Sequence, residues 1–421
     1  MNNSTSPSPR PSSSSSRCHE PSSSPSFSSA VPDEIAANCL ARVSKSQYRS
    51  TSSVSKSFHS LLSSPEIYAA RSEIGATEPR LYLCCESLRT GATTTTRRSW
   101  YNLMSLDDER IKKGDAFISV NGAEIKMKTE LRLVPVKDSS FHHLCARSKE
   151  ANLAVGPEIY QIGGINKKNG KRSRSVCVLD CRSHTQRRAP RMRVARQCAK
   201  ACLFDDDGSS IYVMGGCRRD KECWGEVFDL KSQTWKKETL PSPLLIGGDE
   251  FQVFALGAKI YVITECNKYV YDPKEGRWLL LDWHFVGLNR ILELGGVWCV
   301  LDNLVFMECS SDLYWYDLSC GKWVIVQGLE DLCYTRVNCR YRMVQLVNYG
   351  GKLVIVWLVL PEAVSRRKPP VIPLEKTCFA VIRLEKRLTS SGLVISGEIE
   401  RLSFSLVHGS YNPLTCLSVS L

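Results

Sequence analysis

The sequence predicts a mainly β protein: a six-bladed β-propeller preceded by a small three-helix unit and a disordered N-terminal tail. Three observations lead to this prediction. An apolar β run recurs six times, an aromatic–Asp pair stands six residues before a Trp in three copies, and a Ser/Pro-rich segment gives way near residue 31 to sequence with helical periodicity. A β-rich repeat of roughly 40 to 50 residues is typical of propeller blades.

Composition sets limits on the class of protein. The chain has 421 residues, 43% of them apolar, and a formal net charge of +13. This charge suggests an acidic partner surface but does not require nucleic acid. No apolar run is long enough to cross a bilayer, and the N-terminus lacks the apolar region of a signal peptide. The nineteen cysteines are therefore expected to be reduced, mostly buried thiols of a cytoplasmic or nuclear protein.

The N-terminal tail, residues 1–30, consists mostly of Ser and Pro, and Phe27 is almost its only large apolar residue. Such a segment buries too little apolar surface to offset its conformational entropy, so it is predicted to be disordered. The alternative is a tail regulated by phosphorylation, because many of its hydroxyl groups are exposed.

Residues 31–75 carry the pattern of three short amphipathic helices. Their apolar positions are Ile35, Cys39, Leu40 and Val43 in the first helix, Val54, Phe58, Leu61 and Leu62 in the second, and Ile67, Ala70 and Ile74 in the third. Pro32 suits a helix N-terminus, and Ser64-Pro65 suits the start of the third helix. So small a core usually needs a partner to cover its apolar faces.

From residue 76 to 421 the pattern is β. The recurring runs are LYLCCE (81–86), IYQIGG (159–164), IYVMGG (211–216), IYVITE (260–265), LVFMEC (304–309) and LVIVWL (353–358). The aromatic–Asp pairs are Phe228-Asp229, Tyr271-Asp272 and Tyr316-Asp317, and the matching Trp residues are Trp235, Trp278 and Trp323. Copies two and three are the clearest, whereas copies four and five have lost Gly-Gly and copy two has Gln186 in place of Trp.

Each conserved element of the repeat unit has a physical role. Gly-Gly ends a strand where the backbone packs closely or adopts a positive φ. The aromatic residue is expected to pack between neighbouring sheets, and the Asp to accept hydrogen bonds from the backbone of a turn. The Trp is expected to pack against the next blade.

The ends of the β region predict how the ring closes. The first run matches the second strand of the other repeats, so blade one lacks its inner strand. Residues 414–421 (LTCLSVSL) form an unassigned alternating run at the other end of the chain. We expect this segment to supply the missing strand, which leaves fewer exposed sheet edges.

Residues 31–75 and the repeats together resemble the plant-type F-box/kelch-repeat proteins. The F-box resemblance rests on Pro32-Asp33-Glu34, on Leu40 with Val43, and on Val54-Ser55-Lys56-Ser57-Phe58 followed by Leu61-Leu62. The repeats resemble kelch repeats through Gly-Gly, the aromatic–Asp pair and Trp. Val31 departs from the usual Leu, and Phe58 replaces a common Trp. The alternative for residues 31–75 is an ordinary helical cap on the repeat domain.

This resemblance implies a substrate-recognition subunit of an SCF-type (cullin-RING) E3 ubiquitin ligase. The F-box would bind a Skp-type adaptor, and the propeller would bind a protein substrate for ubiquitination. The residues expected at the adaptor contact are Pro32, Ile35, Leu40, Val43, Val54, Phe58 and Leu61. The alternative hypothesis is a kelch scaffold or protein-binding module that is not coupled to a ligase.

Basic residues cluster in segments expected on one rim of the propeller, the loops after Gly-Gly and the links between blades. These substrate-face candidates are Lys167, Lys168, Lys171, Arg172 and Arg174, then Arg191, Arg193 and Arg196, then Arg218, Arg219 and Lys221. Within blade three, the loop 217–224 is the stretch most favoured for a specific function. The hypothesis is a docking face for an acidic segment of a protein, and the alternative is ordinary solvated surface. Nucleic acid is disfavoured because aromatic residues for base stacking are missing from these loops.

Catalytic and metal sites find little support. The stretch 164–171 has the wrong spacing for a phosphate loop and is followed by β pattern where a helix is required. Two Cys-x₃-Cys pairs, Cys177 with Cys181 and Cys198 with Cys202, are interpreted as core thiols rather than a zinc site. His142-His143 has no partner at a meaningful spacing, and the copper constellation of galactose oxidase-like propellers cannot be placed. We therefore expect no enzyme, no cofactor and no metal.

Overall fold

The computed structural model describes residues 32–87, 97–104, 116–120, 123–127, 129–130, 132–136, 147–148, 150–166, 169–204, 209–217, 223–243, 250–265, 267–281, 297–309, 311–332, 341–359, 375–390, 392–407 and 411–421. The chain divides into two compact units, Met1–Ala76 and Thr77–Leu421. The predicted disordered tail lies outside the described residues.

The first unit is helical. It contains α1 (Asp33–Ala41), a 3₁₀ turn (Lys45–Gln47), α2 (Tyr48–Ser52), α3 (Lys56–Ser63) and α4 (Pro65–Glu73). Ser55 caps α3 by accepting a hydrogen bond from the Phe58 N–H at 3.0 Å, and Pro65 opens α4. The second helix is therefore shorter than predicted, because Val54 precedes its cap, and α2 was not predicted at all.

The second unit consists of strands. In chain order they are β1 (Pro79–Ser87), β2 (Arg97–Met104), β3 (Ala116–Val120), β4 (Ala123–Met127), β5 (Thr129–Glu130), β6 (Arg132–Pro135), β7 (Arg147–Ser148), β8 (Ala151–Val155), β9 (Glu158–Ile162), β10 (Ile165–Asn166), β11 (Val176–Asp180), β12 (Thr185–Ala189), β13 (Lys200–Phe204), β14 (Ser210–Met214), β15 (Gly225–Asp229), β16 (Thr234–Trp235), β17 (Phe251–Leu256), β18 (Lys259–Thr264), β19 (Lys268–Asp272), β20 (Arg277–Leu280), β21 (Val297–Leu301), β22 (Leu304–Cys309), β23 (Asp312–Asp317), β24 (Lys322–Ile325), β25 (Tyr341–Tyr349), β26 (Lys352–Val359), β27 (Glu375–Thr389), β28 (Gly392–Val407) and β29 (Tyr411–Ser420).

These strands form a six-bladed β-propeller, which confirms the predicted fold class. The blades are the antiparallel sheets β29-β1-β2-β6, β8-β9-β11-β12, β13 to β16, β17 to β20, β21 to β24, and β25 to β28. In each blade the recurring run predicted from the sequence is the second strand. The first strands of neighbouring blades lie against one another around the whole ring, so they surround its centre.

The C-terminal strand closes the ring, as predicted. β29 pairs antiparallel with β1 from Pro79 opposite Ser420 to Ser87 opposite Tyr411, with one irregularity at Cys84/Cys85. Glu78 and Leu421 exchange two backbone hydrogen bonds of 2.7 and 2.9 Å at the end of this pairing. The strand begins three residues earlier than the predicted 414–421 segment. Blade one therefore contains both ends of the propeller unit.

The Gly-Gly pairs occupy positions that no side chain can share. Gly215 and Gly216 have φ angles of 67° and 70°. A Cβ atom on Gly215 would clash with the ring of Phe251 on blade four, and one on Gly216 would clash with the Gln197 carbonyl of the preceding link. Both the positive φ and the close packing expected from the sequence are present.

Other side chains do the work of Gly-Gly in blades four and five. The Asn267 N–H donates to Thr264 Oγ1 at 2.9 Å, and the Ser311 N–H donates to Glu308 Oε1 at 3.1 Å. Each of these hydrogen bonds closes a short turn after the second strand. The loss of Gly-Gly in these copies is therefore compatible with the same blade geometry.

The aromatic–Asp pairs behave as predicted. The ring of Phe228 lies 6.2 Å from that of Tyr160 on blade two, and Tyr271 lies 6.4 Å from Tyr212 on blade three. Asp229 Oδ1 accepts a 2.7 Å hydrogen bond from the Ser232 N–H, and this contact lowers the pKa of the carboxyl. The aromatic residue thus joins two sheets while the Asp shapes the turn.

The Trp side chains pack against the preceding blade, so the predicted contact with the next blade is wrong. Trp235 Nε1 donates to the Pro190 carbonyl at 2.9 Å, and Trp278 Nε1 donates to the Pro241 carbonyl at 3.1 Å. Each proline begins the link that leaves the preceding blade's fourth strand. The contact points backwards because that link runs beside the outer strand of the following blade.

A buried ion pair holds the junction of blades two and three. Arg196, whose side chain is fully buried, contacts Glu226 Oε2 with Nη2 at 2.9 Å. Its guanidinium also donates to the carbonyls of Gly215 and Trp224, both at 2.7 Å, and to that of Cys223 at 2.9 Å. Arg196 therefore joins the link after blade two to both stems of the loop that follows Gly216.

Removal of residues 411–421 should destabilise the propeller severely, because blade one loses its inner strand and the ring loses its closure. We expect the free energy of unfolding to fall by more than about 4 kcal/mol, beyond the range of ordinary single substitutions. All nine Trp residues lie between positions 100 and 357, so Trp fluorescence reports the unfolding of this unit. A Ser420→Lys control at an exposed position should unfold like the wild type, and an unchanged transition in the deletion would contradict the closure.

Substitution of Arg196 by Ala should lower the free energy of unfolding by about 3 to 5 kcal/mol, because it leaves the Glu226 carboxylate buried without its cation. The matched control is Arg191→Ala at an exposed position of the same link, which should change stability by no more than about 0.5 kcal/mol. Urea denaturation followed by Trp fluorescence measures both. Equal midpoints for the two variants would show that the ion pair does not hold the junction.

Candidate functional site

The helical unit is built around a small apolar core. Leu40 and Ala41 of α1, Leu62 of α3 and Ile67 of α4 are buried together, and Phe58 and Leu61 pack against them. The helix pattern had suggested that Ile35 and Cys39 share the inward face with Leu40. Both are exposed, and Ala36 is buried in their place.

A buried arginine, not predicted from the sequence, fastens this core. Arg71 of α4 is 1% exposed and donates to the carbonyls of Ala41 at 3.1 Å and Val43 at 2.7 Å, and to the Tyr48 hydroxyl at 3.0 Å. The positive charge therefore lies at the C-terminal end of α1, where it complements the helix dipole. A single basic residue in an amphipathic pattern carries no sign of such burial.

The seven predicted adaptor-contact residues fall into three groups. Pro32, Ile35 and Val54 are exposed, and Ile35 and Val54 keep 53% and 71% of their surface. Val43, Phe58 and Leu61 are half-buried. Leu40 is only 5% exposed, so its predicted direct contact with an adaptor is corrected: the residue belongs to the core of the unit. The exposed apolar side chains of Ile35 and Val54 are the ones available to a partner.

On the propeller, two segments of blade two form one platform. The hairpin that follows Gly164 and the link 190–196 are joined by hydrogen bonds from the Met192 N–H to the Arg174 carbonyl at 2.9 Å and from the Arg196 N–H to the Ser173 carbonyl at 3.0 Å. Arg174 Nε returns a hydrogen bond to the Met192 carbonyl at 2.5 Å. The loop and the link are thus brought to the same rim, as expected.

The predicted substrate-face residues are placed differently from one another. Lys171, Arg174, Arg191 and Arg193 are exposed, and Arg172 is half-buried. We call these five residues the basic patch. Arg196 is a correction, because its side chain is buried in the ion pair with Glu226 and cannot face a substrate. Lys167, Lys168, Arg218, Arg219 and Lys221 lie outside the described residues.

The basic patch is not neutralised within the described part of the chain. None of its five cations forms an ion pair there, whereas Arg182 and Arg187 of the same blade are paired with Asp180 and Glu158. The carboxylate closest to the link, Glu226, accepts its hydrogen bonds from Arg196 and from the backbone of Arg193 and Val194. Sequence analysis missed Glu226, although a lone carboxylate inside an apolar strand was the sign of it.

The cysteines proposed as core thiols have that character. Cys177, Cys181 and Cys202 are buried and Cys198 is half-buried. Burial raises the pKa of Cys202 to about 12, which keeps the thiol protonated and unsuited to metal binding. Among the described residues no cluster of three or more His, Cys, Asp or Glu could hold a metal ion. His142-His143 lies outside those residues.

No helix in the described ranges is long and apolar enough to span a membrane. The two units therefore present two different surfaces: exposed apolar side chains on the helical unit, and an unneutralised basic patch on the propeller.

Comparison with known proteins agrees with this architecture. The F-box domain family matches residues 29–69, and the family described as FKB95, Kelch-repeats domain matches residues 100–404. The chain is 42% identical to the Arabidopsis thaliana protein At4g35120 over 93% of both chains. It is 38% identical to F-box/kelch-repeat protein At5g39560 of the same plant, over 80% of this chain and 81% of that one. F-box/kelch-repeat protein At4g19870 is 35% identical, with 95% and 94% covered. The chain belongs to the F-box/kelch-repeat family.

Proposed function

We propose that this protein is the substrate-recognition subunit of an SCF-type E3 ubiquitin ligase. Its F-box and kelch propeller make it a protein-interaction module. In the proposed function the F-box binds a Skp-type adaptor and through it a cullin-RING ligase, while the propeller binds a protein substrate. The observation that carries the proposal is the presence in one chain of an F-box with exposed apolar residues and a closed propeller with an unneutralised rim.

A receptor of this kind performs no bond chemistry itself. It raises the effective concentration of the substrate near the ubiquitin-transfer machinery and restricts its orientation. A closed six-bladed ring suits this task, because its loops are held on a rigid frame. The nineteen cysteines are most simply kept as thiols in a reducing compartment, so we place the protein in the cytosol or the nucleus.

The competing hypothesis is a kelch scaffold that is not coupled to a ligase. It predicts the same propeller and the same rim but no affinity for a Skp-type adaptor. The exposed Ile35 and Val54 favour the ligase hypothesis, since exposed apolar side chains on so small a unit are suited to burial against a partner.

Val54→Asp and Ile35→Asp should each weaken binding of a Skp-type adaptor by about tenfold or more, because a charge replaces an apolar side chain that the contact would bury. A pull-down of purified adaptor with the full chain measures this effect. The matched control is Ser72→Asp, an exposed position on α4, which should bind like the wild type. Circular dichroism of each variant confirms that the helices are retained.

Failure of the wild-type chain to retain the adaptor would exclude the ligase hypothesis in favour of the scaffold. Undiminished binding by both Asp variants would move the contact away from Ile35 and Val54. Leu40 is unsuited to this test, because truncation of a buried Leu costs about 2 to 5 kcal/mol of stability and would mix unfolding with loss of binding.

A further inference from the structure

We propose that the basic patch (Lys171, Arg172, Arg174, Arg191 and Arg193) is the docking site for an extended acidic segment of a protein. This inference rests on the proposed function insofar as that protein is the ligase substrate, but the docking itself does not require the F-box.

The first reason is the uncompensated charge. Elsewhere in the described propeller, exposed arginines and lysines have carboxylate partners: Arg187 with Glu158, Lys352 with Glu400, Arg383 with Glu398, Lys386 with Asp302, and Arg387 with Glu385. In the same described ranges the five residues of the basic patch have none. Neighbouring like charges raise the local positive potential, and an acidic partner relieves this repulsion.

The second reason is the rigidity of the support. The hairpin and the link are joined to each other by the Met192–Arg174 and Arg196–Ser173 backbone hydrogen bonds, and Gly164 N–H donates to the Arg196 carbonyl at 2.8 Å. Beneath them, the Arg196 guanidinium is anchored on Glu226. The backbone that carries the patch is therefore ordered before a ligand binds, which reduces the entropy lost on binding.

The third reason is the type of cation. Four of the five residues are arginine, whose planar guanidinium binds carboxylate with two parallel hydrogen bonds. The Arg191 side chain makes no hydrogen bond within the described chain. Arg193 uses Nη1 for the Lys237 carbonyl at 2.8 Å, and Arg174 uses Nε for Met192, so each guanidinium still offers other N–H groups. The patch can thus meet several carboxylates spaced along one extended chain.

A protein segment fits this surface better than a nucleic acid does. Binding of single strands usually combines a basic groove with exposed aromatic side chains on which bases stack. None of the large apolar side chains exposed in the described residues lies on blade two or three. The nearest aromatic residue, Trp235, is half-buried and donates its N–H to Pro190. Charge recognition without stacking is what an acidic peptide requires.

The experiment uses the full chain and a fluorescein-labelled peptide that alternates glutamate with serine, and measures binding by fluorescence anisotropy. An exposed ion pair changes affinity by about 1.4- to 5-fold. Lys171→Glu with Arg191→Glu removes two attractions and adds two repulsions, so we expect affinity to fall by about tenfold or more. Raising the salt concentration should weaken wild-type binding, because exposed charges are screened over about 10 Å.

The matched control is Lys274→Glu with Lys322→Glu, two exposed lysines on turns of blades four and five. It changes the net charge by the same amount and should bind the peptide within about twofold of the wild type, because screening limits long-range effects. Equal losses in the two double variants would reduce the effect to net charge and overturn the proposal. So would wild-type binding no tighter to this peptide than to one with glutamine in place of glutamate.

A single-stranded oligonucleotide that displaces the peptide and binds more tightly would assign the patch to nucleic acid instead. Adaptor pull-down with the same samples separates the two hypotheses. The Lys171→Glu, Arg191→Glu variant should keep the adaptor while losing the peptide. A wild-type chain that binds the peptide but no adaptor would refute the ligase function and leave the docking site intact.

Discussion

The antiparallel pairing of β29 with β1 is the interaction on which the propeller depends. Each blade packs mainly on its two neighbours, so an open ring would leave apolar faces of the first and last blades in water. The pairing joins Pro79 with Ser420, and ordering so long an intervening chain has a large entropic cost. The apolar clusters between blades, such as the one in which Leu83, Val354, Phe379 and Cys416 are buried, offset that cost only when the ring is closed.

Within this frame, buried polar groups set the conformations of segments that lack strand partners. Arg196 satisfies three backbone carbonyls around the loop of blade three, and Glu226 satisfies two N–H groups of the preceding link. The junction of blades one and two is also polar: Arg98 donates to Glu150 at 2.6 Å, and the Tyr82 hydroxyl donates to the Cys181 carbonyl at 3.0 Å. Buried ion pairs add little net stability, so their effect here is to select one geometry.

The unequal decay of the repeats has a functional consequence. Blade two keeps Gly-Gly and follows it with a long hairpin that reaches the link to blade three. Blades four and five close the same position with short turns, held by Thr264 and by Glu308. The loops of one side of the ring are therefore larger and more basic than those of the other. A propeller with six similar blades can in this way present a single favoured docking direction.

The sequence by itself determined the fold class, because the period of the runs and the constant offset between the aromatic–Asp pair and Trp follow from blade geometry. It also determined the ring closure, since β1 has the pattern of a second strand and the C-terminal run was unassigned. Only the tertiary structure decided which face of α1 is buried and which cations are exposed. Leu40 and Ile35 satisfy the same helical period, and Arg191, Arg193 and Arg196 are equivalent as charges in one link. Arg196 is drawn inwards because the carbonyls of Gly215, Cys223 and Trp224 and the Glu226 carboxylate converge there. That convergence joins segments distant in sequence, which a local pattern cannot specify.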